Sequence, residues 1–225
     1  MACSKSNDDK GVEVCSRRLV GASFDKGVLE VHMSERTKHK ILLIQPTPYD
    51  QYGNLVKKNR LYFVGLALPL LAALTPEDFD VELCYETIED VPFDTDADLI
   101  GISSMGHAVM RTIDIAQKFR ELGKTVILGG YMVSLMPEEA EKYCDSVMIG
   151  DSEETWGEML HDYVNGTLKP VYKKKLTRLE TPLPRYELLL NKKIGNFLPV
   201  QAGRGCPKTC SFCSVYCLYQ GQYLK

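Results

Sequence analysis

The chain has 225 residues, 44% of them hydrophobic, enough for one well-filled α/β domain and part of a second but not for two large ones. Its formal net charge of -3 offers no general basic surface, and with no local basic patch evident a nucleic-acid partner is disfavoured. Of the eight cysteines, Cys206, Cys210, Cys213 and Cys217 crowd together while Cys3, Cys15, Cys84 and Cys144 are scattered, which points to metal chemistry in a reducing compartment rather than to a disulfide framework.

In chain order, residues 1–38 are polar, without sustained periodicity and rich in Gly, Ser and Lys, and are expected to form a weakly ordered tail. Met33 stands just before the first strong strand and is a candidate natural start, with the earlier residues then coming from an over-extended reading frame. From Lys40 onward, short aliphatic runs alternate with amphipathic stretches, the pattern of βα units on a parallel sheet. Strands are expected at 41–44, 81–85, 99–103, 125–128 and 146–149. Helices are expected over 61–74, through Ile113, Ala116, Phe119 and Leu122 with a stop at Gly123, over 137–143, and through Trp156 and Leu160. The apolar run 61–74 follows Lys57, Lys58 and Arg60 but is too short to span a bilayer, carries Pro69 and lies far from the N-terminus, so it reads as a buried helix. No membrane span or targeting segment is expected, and the cytoplasm is the expected location.

These elements predict a doubly wound parallel sheet over 39–165, with ligands at the carboxyl ends of its strands. Those ends carry Gln45-Pro46-Thr47-Pro48, Ser103-Ser104-Met105-Gly106, Gly129-Gly130-Tyr131 and Gly150-Asp151-Ser152-Glu153. Glycine permits close backbone approach to a ligand, although the same glycines serve equally well as ordinary strand-to-helix turns. Residues 166–197, with Pro170, Pro182 and Pro184 among several lysines, read as a linker, and 198–202 as the opening strand of a second domain.

The sharpest local signal is Cys206-Pro207-Lys208-Thr209-Cys210-Ser211-Phe212-Cys213, a C-x-x-x-C-x-x-C spacing directly after Gly203-Arg204-Gly205. Thiolates at these intervals on one loop can bind three irons of a cubane cluster and leave the fourth open for reaction. A zinc site recruiting Cys217, or a fully ligated electron-transfer cluster, would use other spacings. Cys84 and Cys144 read as small buried hydrophobes.

This loop and its glycine-rich approach resemble the radical S-adenosylmethionine superfamily. The resemblance implies a [4Fe–4S] cluster on Cys206, Cys210 and Cys213, with Phe212 near the adenine of S-adenosylmethionine. In such enzymes the open iron chelates the amino and carboxylate groups of S-adenosylmethionine, and one electron cleaves the sulfonium to a 5′-deoxyadenosyl radical. Upstream, 66–76 (LALPLLAALTP), 98–105 (DLIGISSM), 126–137 (VILGGYMVSLMP), 150–154 (GDSEE) and 184–189 (PRYELL) resemble the members with an N-terminal cobalamin-binding domain. By that analogy Ser103, Ser104 and Met105 match a Ser-x-Leu element and Gly129-Gly130, with Tyr131, a Gly-Gly element around the nucleotide tail of cobalamin, closed by Gly150 and Glu153. No D-x-H-x-x-G occurs, so a protein imidazole below cobalt is not expected, and His107 reads as a solvated helix-start residue.

The resemblance implies methyl transfer to an unreactive carbon of a small-molecule substrate, or ring closure in some relatives, with electrons from an external flavodoxin- or ferredoxin-type donor. It assigns no catalytic side chain beyond the cluster ligands. It also implies that residues 198–225 open a partial (β/α) barrel that continues beyond Lys225, so that this chain alone would be inactive. Alternatives are a non-catalytic cobalamin-binding module, a zinc-stabilised interaction module, and a tRNA methylthiotransferase, whose N-terminal domain carries three further cysteines where Cys84 and Cys144 supply two.

Overall fold

A computed structural model describes residues 38–225; the expected tail and the candidate start at Met33 lie outside these residues. Strand β1 (His39–Gln45) forms because an unbroken aliphatic run can fill both faces of a covered sheet, and Ile41, Leu42, Leu43 and Ile44 are all fully buried. Beside it lie β2 (Phe79–Tyr85), β3 (Leu99–Ser103), β4 (Thr125–Gly129), β5 (Ser146–Ile149) and β6 (Val171–Lys173). The order is β2-β1-β3-β4-β5-β6 and every neighbouring pair is parallel, a doubly wound, Rossmann-like α/β sheet. The register sets Leu43 beside both Leu83 and Gly101, and Ser103 beside Gly129.

The helices between these strands are α1 (Ala67–Leu74), α2 (Val109–Glu121), α3 (Tyr131–Leu135), α4 (Pro137–Ala140) and α5 (Trp156–Val164). Alternate side chains of the strands split the core between two faces. Leu43, Leu83, Ile127 and Met148 pack with Leu68 of α1 and with Trp156, Met159 and Leu160 of α5. Leu42, Ile100, Ile102 and Leu128 pack with Ile115 and Phe119 of α2 and Val133 of α3. The lateral direction of the chain reverses between β1 and β3, opening a crevice at their carboxyl ends. The β5–α5–β6 connection steps sideways in the same direction as β3–α2–β4, yet α5 covers the opposite face, so its crossover has the opposite, rarely used hand.

Several expected elements differ. The helix expected over 61–74 begins only at Ala67, because the Pro69 ring collides with the carbonyl four residues earlier and fits only in a first turn. Leu61 instead donates its N–H to the Lys193 carbonyl (2.9 Å), and its carbonyl accepts from Gly195 N–H (2.8 Å). The helix expected over 137–143 is α4 followed by a 3-10 turn at Glu141–Tyr143. The stretch read as a linker contributes β6 and buries Tyr172, Leu176 and Leu189. Residues 198–202 form no strand; with Val200 91% exposed they have no core to pair over. Regular pairing resumes at β7 (Arg204–Gly205), which meets β8 (Tyr223–Leu224) antiparallel and, with it, brackets the cysteine loop and α6 (Ser214–Tyr219).

Candidate functional site

On the face covered by α1 and α5, at the carboxyl ends of the strands, lies a cavity of about 250 Å³. Its floor exists because β3 carries Gly101: a Cβ there would stand 2.7 Å from Leu43 Cδ2 and 3.8 Å from the Trp156 ring. Trp156 is held by its indole N–H donating to Thr75 Oγ1 (2.9 Å), which in turn donates to the Leu71 carbonyl (2.7 Å). Leu66 and Leu70 close the opposite wall.

Ser103, Gly129, Gly130, Gly150 and Glu153 all line this cavity, so five of the eight residues matched to cobalamin-binding elements come together, along with Asp151 and Ser152. Gly130 has φ +91°, and a Cβ there would meet the Ser104 carbonyl at 2.9 Å, so both conformation and space demand glycine. Ser134 stitches the rim, its hydroxyl donating to the Gly130 carbonyl (2.9 Å) and accepting from Gly150 N–H (2.8 Å). The remaining three lie elsewhere. Ser104 is buried behind the rim, accepting a hydrogen bond from Thr112 Oγ1 (3.0 Å), and Met105 is exposed. Tyr131 lines a neighbouring cleft of about 490 Å³ with Cys217 and Lys173, and its hydroxyl bonds to Ser214. His107 is exposed in a 3-10 turn, and among the described residues no histidine lines the cavity.

The far rim is ionic. Arg204, only 11% exposed, donates from Nη1 to Asp151 Oδ1 (2.8 Å) and lies 2.7 Å from Glu153 Oε1. Its Nη2 donates to Gln201 Oε1 (2.9 Å), and Tyr219 donates its hydroxyl to Asp151 Oδ1 (2.9 Å). Burial, reinforced by the Asp151 carboxylate, pushes the Tyr219 phenol well above its ordinary range. Glu153 Oε1 is itself buried, its charge met by the Arg204 guanidinium rather than by solvent.

Across the switch point, the excursion after β1 is pinned by a second buried ion pair. Glu86, 1% exposed, accepts from Arg111 Nε (2.8 Å) and Nη2 (2.6 Å) through one oxygen and from Thr47 N–H (3.1 Å) through the other. Tyr49 caps the pair, accepting from Arg111 Nη1 (3.3 Å) and donating to Asp114 (2.5 Å).

The cysteine loop follows β7. Cys210 is exposed, Cys206 and Cys213 are half-buried, Cys213 N–H donates to the Cys210 carbonyl (3.1 Å), and Phe212 is 89% exposed. Among the described residues no three His, Cys, Asp or Glu side chains converge closely enough to hold a metal ion. The donor set suits an iron–sulfur cluster in kind, and gathering it requires the loop to close, as happens when metal binding and local folding are coupled. Cys84 and Cys144 are buried, their thiols donating to the Asp90 (3.8 Å) and Ala140 (3.3 Å) carbonyls, and burial pushes them up to about 12 and about 11 respectively.

Sequence reasoning missed the floor and the ionic latch. A glycine in the middle of an otherwise aliphatic strand, as at Gly101, signals a close approach and could have marked the floor. Nothing local marks Arg204 as a partner of Asp151, because their proximity is tertiary.

Residues 66–160, from the first turn of α1 into α5, match the family model described as the B12 binding domain. The chain is 36% identical over 157 residues to bacteriochlorophyllide d C-8(2)-methyltransferase of Chlorobaculum tepidum, covering 66% of this chain and 35% of that protein. It is 31% identical over 195 residues to the C-12(1)-methyltransferase of the same organism, covering 82% and 42%. To the ribosomal protein uS12 methylthiotransferase of Aquifex aeolicus it is 30% identical over 131 residues, covering 57% and 27%. The chain thus spans less than half the length of each of these curated relatives. Among the described residues no helix is long and apolar enough to cross a membrane.

Proposed function

We propose that this chain supplies the cofactor-holding part of a cobalamin-dependent radical S-adenosylmethionine methyltransferase acting on an unreactive carbon of a small molecule. The observation that carries the reading is that the Ser103, Gly129-Gly130 and Gly150–Glu153 rim encloses one cavity whose far wall is Arg204, two residues before the first cysteine of the loop.

Cobalamin fits the cavity on three counts. The glycine floor leaves depth for a flat aromatic base, Leu66, Leu70 and Trp156 line it with apolar surface, and Ser103 and Gln201 bring polar groups to the lining for an amide-rich ligand. When bound, cobalamin and the cluster supply a methyl carrier and a one-electron route from S-adenosylmethionine to a carbon radical. The chain's own residues bind and shield. Trp156, Leu66 and Leu70 exclude water from the buried tail, and the Gly130 and Gly150 turns let backbone approach it. Cys206, Cys210 and Cys213 would hold the cluster, with Phe212 free to pack on the adenine. Residues 198–225 would then open a partial (β/α) barrel, with reducing equivalents delivered by a flavodoxin- or ferredoxin-type protein. The names of the two methyltransferase relatives support methyl transfer over ring closure. The methylthiotransferase reading needs further thiolate ligands in the α/β domain, and the buried, poorly acidic Cys84 and Cys144 are unsuited to that role.

The test is anaerobic reconstitution of the full chain with iron, sulfide and hydroxocobalamin. Cobalamin should be retained on gel filtration, and an iron–sulfur absorption should form. Replacing Cys206, Cys210 and Cys213 together by Ala should abolish the absorption and leave cobalamin retention unchanged. Addition of S-adenosylmethionine should perturb the electron paramagnetic resonance of the reduced cluster. Zinc without acid-labile sulfide, or no retained cobalamin, would overturn the reading.

A further inference from the structure

Arg204 belongs to two places at once. Its backbone lies in β7 immediately ahead of the cysteine loop, while its guanidinium lies on the cavity rim between Asp151 and Glu153. Tyr219, at the end of α6 beyond the loop, reaches the same Asp151 oxygen. The chain on both sides of the three loop cysteines is therefore anchored on one partly buried carboxylate. Asp151, Glu153, Gln201 and Arg204 all face the cavity, so an occupant of the cavity touches the anchor itself.

The anchor is also sterically exacting. A Cβ at Gly205 would stand 2.2 Å from the Gln222 carbonyl oxygen, and one at Gly203 would stand 2.6 Å from the Tyr223 hydroxyl. The β7–β8 pairing thus leaves no room for a side chain at either glycine, and Gly205 alone separates Arg204 from Cys206. A planar guanidinium can engage Asp151, Glu153 and Gln201 together, which a lysine ammonium on the same backbone cannot reproduce. Glu153 and Gln201 share the guanidinium with Asp151 and also line the cavity, so a ligand that contacts either residue changes the balance of forces on Arg204.

We propose, resting on the cavity as the site of the cobalamin tail, that Arg204 is a positioning residue tying occupancy of the cavity to the order of the Cys206–Cys213 loop. Such coupling is reciprocal: a cavity ligand orders the loop, and ordering the loop by a metal cluster tightens the ligand.

The experiment measures iodoacetamide modification of each cysteine by mass spectrometry in the metal-free full chain, with and without cyanocobalamin. In the wild-type protein cyanocobalamin should slow modification of Cys206 and Cys213 by roughly fivefold or more. Cys84 and Cys144 should stay unmodified throughout and report that the fold is intact. Compared at cyanocobalamin concentrations that saturate each protein, Arg204→Gln should lose the protection, and without ligand its Cys206 and Cys213 should react faster than in wild type. Arg204→Lys should restore part of it. If wild type binds no cyanocobalamin, the cobalamin reading fails and the coupling falls with it. If it binds and Arg204→Gln keeps the wild-type protection, the coupling alone is refuted. Should Arg204→Gln expose Cys84 and Cys144, Tyr219→Phe decides, since it removes one hydrogen bond to Asp151 without stranding a charge. Weakened protection in that variant supports the coupling, and unchanged protection overturns it.

Discussion

Two glycines at the cavity do different physical work, and substituting each by alanine separates them. Gly130 combines φ +91° and ψ −172°, a region essentially reserved for glycine, with backbone atoms of Ser104 at 2.9 to 3.0 Å from a would-be Cβ. Gly130→Ala should therefore cost about 2 to 3 kcal/mol of stability in urea titration. At Gly101 the backbone is unstrained, and the obstructing atom is the tip of the Leu43 side chain, which can turn away. Gly101→Ala should keep stability within about 1 kcal/mol of wild type while weakening cobalamin binding about tenfold, because the added methyl raises the cavity floor. Equal stability losses in the two variants would contradict this division.

At the scale of elements, β6 is the least conspicuous strand and is held by one side chain. Tyr172 is 3% exposed, its hydroxyl donating to Asp162 Oδ2 (2.8 Å) and accepting from Lys169 N–H (3.0 Å). Tyr172→Phe should cost about 1 kcal/mol and Tyr172→Ala about 3 kcal/mol in equilibrium unfolding; a negligible loss in the alanine variant would show that β6 is not integral to the sheet. Strands β1, β3, β4 and β5 were legible because each is an aliphatic run bounded by turn residues, a pattern that burial on both faces imposes, and β2 because Val81, Leu83 and Tyr85 alternate with Glu82 and Cys84. Strand β6 was not, since Val171-Tyr172-Lys173 is too short for any periodicity and the usual crossover hand would have sent α5 to the face of α2. The start of α1 was misplaced because hydrophobicity continues from Leu61 while the proline, not the apolar pattern, decides where helical bonding can begin. The rim of the cavity was readable from Ser103, Gly129, Gly130, Gly150 and Glu153, as each follows a legible strand. Its ionic wall was not, because Asp151 and Arg204 meet only after the sheet, the stretch after α5 and β7 are all in place.

The molecule as a whole stores several acids in its interior as neutral groups, which sets its response to alkali. Burial raises Cys84 to about 12 and Cys144 to about 11, and lifts the Tyr85 and Tyr219 phenols in the same direction. In the unfolded chain a thiol titrates near about pH 8.5. Above that pH the folded protein retains protons that the unfolded chain has released. The stabilisation is complete below about pH 8.5 and is progressively lost as pH climbs through the folded values. Unfolding free energy should thus decline between about pH 9 and pH 11, and Cys84→Ala with Cys144→Ala should flatten the decline. An identical slope in the double variant would assign the effect elsewhere.

The short β7–β8 ladder joins Arg204 to Leu224 and Gly205 to Tyr223, which makes the segment carrying the thiols a purse with its drawstring already pulled. Drawing together the ends of a free segment of that length costs on the order of 2 to 3 kcal/mol in chain entropy. With the neck held shut by two pairs of backbone partners, that closure belongs to the fold itself, and an arriving iron would need to gather only the sulfurs of Cys206, Cys210 and Cys213 inside it.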